Sequence, residues 1–186
     1  MKVIAVQSSP NLDGLTATAA QAALQGAAEA GADTELVNLC RHNIERCRQC
    51  ETGWGRCLRE GLCIIEDGMQ GLRERLATAD ALIWSNPVYF GEFSERLKAF
   101  LDRVRRCEVH SGEPRPLAGK VVLCIAAAGG SGGGTVSCMD QFQRYASHLQ
   151  WRVFDNLPLM QRSKGYMLAA LPEAGRCLVG FAREEP

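Results

Sequence analysis

The sequence predicts an α/β fold in which five parallel strands form a doubly wound sheet of order 2-1-3-4-5, with helices on both faces. Apolar, β-branched segments alternate with helical segments along the chain, as in parallel sheets that are covered on both sides. The length of 186 residues suits one domain with its own core. Because no repeat or linker interrupts the pattern, we predict a single domain over residues 1–186.

The first half of the chain contains two strands and two helices of this pattern. Residues 2–7 are apolar and β-branched and predict a buried first strand, and residues 34–39 predict the second. Residues 16–30 are rich in alanine, the strongest helix former, and Gly31 is well placed to stop that helix. Asp67 can cap the next helix.

The second half continues the alternation. Residues 81–85, 120–127 and 151–157 predict the third, fourth and fifth strands. After Ser94, apolar residues recur at positions i, i+3, i+4 and i+7, which predicts an amphipathic helix. Another helix is predicted between the fourth and fifth strands. At the end of the chain, Pro172 is expected in the first turn of a final helix, where proline is tolerated.

Composition disfavours two classes of partner. Lys and Arg together number 21, as do Asp and Glu, so there is no net positive charge to hold nucleic acid. No apolar run approaches the ~20 residues that a membrane span needs. The apolar start of the chain turns polar at Gln7, too early for a signal-peptide core. We therefore expect a cytoplasmic protein that binds neither nucleic acid nor a membrane.

The loop after the first strand is rich in hydroxyl groups and leads into a helix. A helix N-terminus offers free N–H groups and a favourable dipole to an anion. The loop lacks the lysine of a P-loop and the glycine spacing of a dinucleotide fingerprint, which leaves a small phosphomonoester as its ligand. An ordinary polar loop with a helix cap is the alternative. The candidate phosphate contacts are Ser9, Asn11, Gly14, Leu15 and Thr16.

Two more loops should lie at the same edge of the sheet, since the carboxyl ends of parallel strands meet there. The loop after the third strand is apolar and aromatic, and its candidate residues are Asn86, Pro87, Val88, Tyr89 and Phe90. The loop after the fourth strand is almost bare of side chains, and its candidates are Gly129, Gly130 and Ser131. The alternatives are aromatic rings that fold back on the core and a mobile glycine linker. A flat ring that carries a single phosphate, such as FMN, fits all three loops.

Nine cysteines are many for a chain of this size, and four of them crowd into one segment, a predicted insertion loop at about residues 41–66. These four are Cys47, Cys50, Cys57 and Cys63. Four thiolates suit a [4Fe–4S] cluster, a tetrahedral zinc site is a second possibility, and free thiols are a third. The other, scattered cysteines are expected to be small core residues, with Cys124 in the fourth strand the clearest case.

Several motifs together resemble the NADPH-dependent FMN reductase and iron–sulfur flavoprotein family. They are Ser9-Pro10 with Gly14 and Thr16, Asn86-Pro87-Val88-Tyr89-Phe90, Leu97-Lys98-Ala99-Phe100-Leu101-Asp102-Arg103, and the cysteine segment that ends in Cys63-Ile64-Ile65-Glu66-Asp67-Gly68-Met69. The resemblance covers roughly residues 2–134. It implies a flavodoxin-like fold, FMN held by the three loops, and subunits that form a homodimer or homotetramer close to the flavin.

Two positions depart from the family's pattern. Many members carry an arginine in the phosphate loop where this chain has Asn11, so a charge-assisted phosphate bond is missing. The iron–sulfur members have a compact Cys-x2-Cys-x2-Cys motif, whose third position here is Gly53, and Cys57 follows instead. The cluster, zinc and free-thiol interpretations of the segment therefore all stay open.

From these features we predict an FMN-containing oxidoreductase that NAD(P)H reduces and that passes electrons to a small molecule or a redox protein. No catalytic side chain is expected, because the flavin carries the chemistry. The alternative is an electron-transfer flavoprotein, with or without an iron–sulfur cluster, that shuttles electrons between proteins. A non-enzymatic redox or metal sensor built on the cysteine segment is a third hypothesis. Trp54, in that segment, is expected either to cover the flavin or a neighbouring subunit, or to pack locally.

Overall fold

A computed structural model describes residues 1–109 and 115–184 of the chain. Its five strands form one sheet in the order β2-β1-β3-β4-β5, and every neighbouring pair is parallel. The strands are β1 (Lys2–Gln7), β2 (Asp33–Asn38), β3 (Ala81–Pro87), β4 (Val121–Ala128) and β5 (Arg152–Met160). The predicted sheet and its strand order are confirmed.

Helices cover both faces of the sheet, as predicted. They are α1 (Leu15–Glu29), α2 (Arg56–Glu60), α3 (Gly68–Ala77), α4 (Glu95–Glu108), α5 (Thr135–Leu149) and α6 (Lys164–Arg183). Apolar residues of α1 and α6 pack on one face, and those of α3, α4 and α5 pack on the other. Among the described helices, none is long and apolar enough to cross a membrane.

The central strands supply the core between these layers. Every residue of β3 and β4 is buried, which explains their near-continuous apolar sequences. On the face of α4 and α5, Trp84 of β3 stacks on Trp151 with ring centroids 5.4 Å apart, and Phe100 of α4 packs beside it at 6.3 Å. The loops that leave the carboxyl ends of the strands begin at the edge of this packed core.

Two of the predicted helix starts are present in atomic detail. The Asp67 side chain accepts a hydrogen bond from the backbone N–H of Met69 and caps α3. The Ser94 hydroxyl accepts one from the backbone N–H of Leu97 and caps α4. Both caps satisfy amide groups that a helix leaves free at its first turn.

The predicted start of the last helix is wrong. Pro172 lies in the middle of α6 instead of its first turn. The helix continues through the proline because α6 packs very closely on α1, where a Cβ atom built on Gly26 would clash with the carbonyl oxygen of Pro172. Gly175 approaches the backbone of Ala23 in the same way. Tertiary packing therefore overrides the local preference of proline.

Candidate functional site

Hydrogen bonds join the loops after β1, β3 and β4 at the carboxyl edge of the sheet. The Ser8 hydroxyl donates to the side-chain oxygen of Asn86 across 2.8 Å, and the Ser8 N–H donates to the carbonyl oxygen of Ser85 across 3.1 Å. The backbone N–H of Val88 donates to the carbonyl oxygen of Ala127 across 2.9 Å. The structure thus brings together the three loops that the sequence singled out.

The first loop presents an open helix N-terminus. Gly14 is the N-cap of α1, and in the part of the chain that the structure describes no side chain caps this helix. The first turn contains no acidic residue. The Ser9 hydroxyl accepts a hydrogen bond from the N–H of Asn11 at 3.2 Å, and Thr16 is buried. Free amides without a competing carboxylate are what a phosphate group requires at such a helix end.

Asn86 braces the second loop from within. It is completely buried, and its side-chain oxygen accepts hydrogen bonds from Ser8 and from the backbone N–H of Ser94. Its side-chain nitrogen donates to the carbonyl oxygen of Pro87 across 2.8 Å. Since these bonds occupy its polar atoms, Asn86 shapes the loop, while its predicted contact with a cofactor stays a prediction.

The two aromatic residues of the second loop point outward. Phe90 is fully exposed and adopts a left-handed conformation with φ of 51°, and Tyr89 is 41% exposed. Burial raises the pKa of Tyr89, Glu95 adds to the rise, and a side-chain hydrogen bond with Ser9 offsets part of it. Tyr89 therefore remains a neutral phenol at neutral pH. Exposed rings beside a polar loop offer an apolar surface to a flat ligand.

The backbone of the third loop lies directly against the backbone of the second loop. A Cβ atom built on Gly134 would lie 2.5 Å from the Cα of Gly91, and both glycines have positive φ. The Ser137 hydroxyl donates to the carbonyl oxygen of Gly91 across 2.9 Å. Sequence reasoning missed Ser137 and the contact between Gly91 and Gly134, because a contact between two distant glycines leaves no local pattern. Gly129 and Gly130 are exposed, and a Cβ on either would meet nothing within 4 Å.

These features fit FMN. The uncapped end of α1 suits the phosphate, the aromatic residues suit the ring, and the open glycine backbone can approach a flat edge closely. Position 11 of the loop is Asn11, whose side chain is an uncharged amide. Its side-chain nitrogen lies about 3.0 Å from a Cβ atom built on Gly14. The phosphate would therefore be held mainly by hydroxyl and backbone N–H groups.

The four clustered cysteines line a single small cavity of about 20 Å³. Cys47, Cys50, Cys57 and Cys63 are all half-buried with free thiols. Cys57 lies in the short helix α2, which the sequence had suggested to be loop. Over residues 1–109 and 115–184, no three His, Cys, Asp or Glu side chains are grouped closely enough to hold a metal ion. Four thiol ligands suit an iron–sulfur cluster or a zinc ion, although the four sulfur atoms do not lie close enough together to surround one metal centre.

Trp54 packs locally. The guanidinium of Arg106 lies 4.5 Å from the centre of its ring, a cation–π contact. The same guanidinium donates to the carbonyl oxygen of Gly53 across 2.6 Å. Gly53 has φ of 100°, so the chain turns sharply here in a conformation that favours glycine. Arg106 thereby fixes the glycine-flanked part of the cysteine segment.

Most of the scattered cysteines are core residues, as predicted. Cys107, Cys124 and Cys138 are buried. Burial raises the pKa of the Cys138 thiol to about 11 and that of Cys107 to about 12, so both stay protonated. The prediction is wrong for Cys177, which is exposed on α6, and Cys40 is only half-buried.

Comparison with known proteins gives consistent results. The sequence model of a family described as NADPH-dependent FMN reductase matches residues 1–163. Iron-sulfur flavoprotein MJ1083 of Methanocaldococcus jannaschii is 31% identical over 159 residues, which cover 85% of this chain and 78% of that protein. Iron-sulfur flavoprotein MJ0731 of the same organism is 35% identical over 136 residues, which cover 72% of this chain and 65% of that protein.

Solved structures share the fold. The NAD(P)H:quinone oxidoreductase from Methanothermobacter marburgensis superposes with a TM-score of 0.78 at 19% identity, covering 100% of this chain and 98% of that one. The apo form of an NADH:FMN oxidoreductase (EMOB) gives a TM-score of 0.68 at 21% identity, with 100% and 91% covered. At these identities the likeness concerns the flavodoxin-like fold alone.

Proposed function

The chain belongs to the NADPH-dependent FMN reductase family, and we propose that its FMN lies where the loops after β1, β3 and β4 meet. It is an FMN-dependent oxidoreductase that is reduced by NAD(P)H. When bound, FMN would supply the redox chemistry, which is hydride uptake from the nicotinamide and release of electrons to an acceptor. The protein binds and orients the FMN and stabilises its reduced form.

At the phosphate end, the first-turn amides of α1 and the hydroxyls of Ser9 and Thr16 would donate hydrogen bonds, with Asn11 alongside. At the ring end, Val88, Tyr89 and Phe90 would flank the isoalloxazine, and the backbone from Gly129 to Ser131 would donate N–H groups to its polar edge. Such donors stabilise the negative charge that the ring gains on reduction. The neutral phenol of Tyr89 adds a further donor at neutral pH.

The observation that carries this proposal is the direct linkage of the three loops through Ser8, Asn86 and Val88. It is tested by fluorescence titration of the apoprotein with FMN and, in parallel, with riboflavin, which lacks the phosphate. We expect one FMN per chain and a dissociation constant at least about tenfold lower for FMN, equivalent to about 1.4 kcal/mol. Equal affinities would show that α1 does not hold the phosphate.

The electron acceptor is proposed to be a small molecule or a redox protein. An electron-transfer role with an iron–sulfur cluster is favoured by one specific feature, the cavity that all four clustered cysteines share. Relatives named iron-sulfur flavoproteins support it. Cys47, Cys50, Cys57 and Cys63 would hold a [4Fe–4S] cluster, which would supply one-electron transfer.

Anaerobic reconstitution with iron and sulfide tests the cluster. Metal analysis and the visible spectrum then separate three outcomes. Iron and acid-labile sulfide near four per cluster, as a [4Fe–4S] centre requires, support the proposal. Stoichiometric zinc in place of iron identifies a zinc site, and protein free of both metals identifies free thiols; either result rejects the cluster.

The exposed residues at the site suggest a homodimer or homotetramer. Phe90 is fully exposed, and Val136, in the first turn of α5 after the third loop, is 80% exposed. Burial of such side chains against a second copy would be favourable. Phe90→Ala should shift the sedimentation profile towards the monomer, whereas Tyr166→Ala, 67% exposed on α6, should not. A monomeric wild-type protein would reject the assembly.

We also propose that the protein works in the cytoplasm. The thiols of Cys47, Cys50, Cys57 and Cys63 and of the exposed Cys177 are free, which fits a reducing compartment. Fractionation of cells that produce the protein at natural levels tests this location.

A further inference from the structure

A buried arginine lies against the wall of the cysteine cavity. Arg103 belongs to α4, and its side chain is only 1% exposed. One terminal nitrogen donates to the carbonyl oxygen of Glu45 at 3.0 Å and to a carboxylate oxygen of Asp67 at 2.6 Å. The other donates to the sulfur of Cys63 at 3.3 Å and to the carbonyl oxygen of Ile65 at 3.2 Å.

These partners lie at both ends of the cysteine segment. Glu45 precedes the first clustered cysteine, whereas Ile65 and Asp67 follow the last one. Asp67 also accepts a hydrogen bond from the backbone N–H of Glu45 at 2.8 Å. Burial raises the pKa of Asp67, but the hydrogen bond from Arg103 and those from the backbone outweigh it, so the pKa is lowered and the side chain is ionised. The ion pair between Arg103 and Asp67 therefore holds both ends of the cysteine segment against α4.

One N–H group of the Arg103 guanidinium donates no hydrogen bond to the described protein groups. Within the described part of the chain, its Nε is buried and has no hydrogen-bond partner. Arg103 lines the same cavity as the four clustered cysteines. Asp67 balances the positive charge on one side, while the second arm of the guanidinium meets a sulfur atom. A sulfur with negative charge would complement this arm, because charge-assisted hydrogen bonds are stronger than neutral ones.

We propose that Arg103 is a positioning residue of the cysteine site, which donates a hydrogen bond to Cys63 as a cluster ligand and raises the reduction potential of the cluster. The inference rests on the cluster of the proposed function. Reduction adds one electron to the cluster and so increases the negative charge on its sulfurs. Hydrogen bonds to those sulfurs stabilise the reduced form and are among the factors that set the potential.

Anaerobic redox titration of the reconstituted holoprotein, followed by EPR, tests this role. Arg103→Lys keeps the positive charge beside Asp67, but a lysine ammonium cannot reproduce the hydrogen bonds of both terminal guanidinium nitrogens, to Asp67 and to Cys63. We expect the potential of its cluster to become more negative and its iron to be lost several-fold faster to a chelator. FMN content reports whether the fold is intact. Arg106→Lys is the matched control, since Arg106 lines the same cavity but donates to a carbonyl oxygen.

Asp67→Asn separates this role from a merely structural one. Asparagine keeps the cap of α3, whereas the loss of negative charge should make the potential less negative, opposite to Arg103→Lys. If Arg103→Lys leaves the potential unchanged, or if both variants shift it in the same direction, the role of Arg103 is overturned while the cluster stands. If wild-type protein takes up no iron, both the cluster and this inference fail, although FMN binding is unaffected.

A measurement on the unaltered sequence covers the case in which Arg103→Lys does not fold. Arginine labelled with ¹⁵N in its guanidinium group is incorporated, and the reduced cluster is examined by pulsed EPR. We expect a weak nitrogen coupling from a guanidinium bonded to a cluster sulfur. Absence of any such coupling overturns the proposal.

Discussion

The hydroxyl of Ser8, at the end of β1, donates a hydrogen bond to the side-chain oxygen of Asn86, at the end of β3, across 2.8 Å. The two residues are 78 positions apart in the sequence, and both are buried. The same oxygen accepts a bond from the backbone N–H of Ser94, which caps α4. One buried amide thus couples the predicted phosphate loop, the aromatic loop and a helix start.

Loss of this link should affect stability and FMN binding together. We expect Asn86→Ala to lower the free energy of unfolding by about 2 kcal/mol, because buried partners lose their hydrogen bonds, and to weaken FMN binding. Ser8→Ala should cost less, as the Ser94 bond remains. Urea unfolding of the two single variants and the double variant gives the coupling energy. Strict additivity would show that the two side chains do not act on each other.

The phosphate loop can be tested by a gain of affinity. Asn11 is exposed beside the start of α1. Asn11→Arg should tighten FMN binding by about tenfold at low salt, because it adds a charge-assisted hydrogen bond to the phosphate. The gain should shrink at high salt and be absent for riboflavin. Asn11→Gln, which adds length without charge, serves as the control; an equal gain from it would argue against a charge effect.

The close contact of α1 and α6 predicts opposite effects at two glycines. Gly26→Ala should destabilise the protein by about 3 kcal/mol, since the new Cβ clashes with the backbone at Pro172. Gly180→Ala, on the same pair of helices, meets nothing within 4 Å and should stabilise by about 0.5 kcal/mol. Thermal unfolding checks both. If Gly26→Ala left the stability unchanged, α1 and α6 would have to lie farther apart than in this structure.

A network around Asp102 predicts a pH dependence of stability. Burial raises the pKa of Asp102, but hydrogen bonds from Lys98, Tyr145 and Arg105 outweigh it, so the pKa is lowered. The Tyr145 hydroxyl donates to it across 2.6 Å. A lowered carboxyl pKa contributes stability that is present above the unfolded value of about 3.9 and is lost as pH falls through the folded value.

Asp102→Asn should therefore lower the free energy of unfolding by about 1–2 kcal/mol at neutral pH. The difference from wild type should narrow as the pH falls below about 4. Chemical unfolding at a series of pH values measures it. A difference that stays constant down to acid pH would show that the ionised carboxylate is not the source.

The sequence was sufficient for the sheet and for the three loops, for physical reasons. Strands such as β3 and β4 are buried on both faces, so their apolar sequences are unbroken and easily recognised. Parallel connections then place their carboxyl ends at one edge. The three loops of the candidate FMN site follow directly after β1, β3 and β4, so their positions can be predicted once the strands are recognised.

The sequence was insufficient where the outcome depends on tertiary contact. The start of the last helix was wrong because packing against Gly26 keeps Pro172 inside α6. The approach of Gly91 to Gly134 and the hydrogen bond from Arg103 to Cys63 join residues far apart in the chain, and neither leaves a local signal. The placement of the candidate FMN contacts within the site remains a prediction for the same reason.

Reduction of the bound flavin by a nicotinamide nucleotide tests the central claim most directly. The holoprotein is mixed anaerobically with NADPH, and separately with NADH, in a stopped-flow instrument that records the visible absorbance of the flavin. We predict rapid bleaching with at least one nucleotide and recovery of the colour when an acceptor is added. Flavin that stays oxidised with both nucleotides would contradict the account and favour a carrier that receives electrons from a protein.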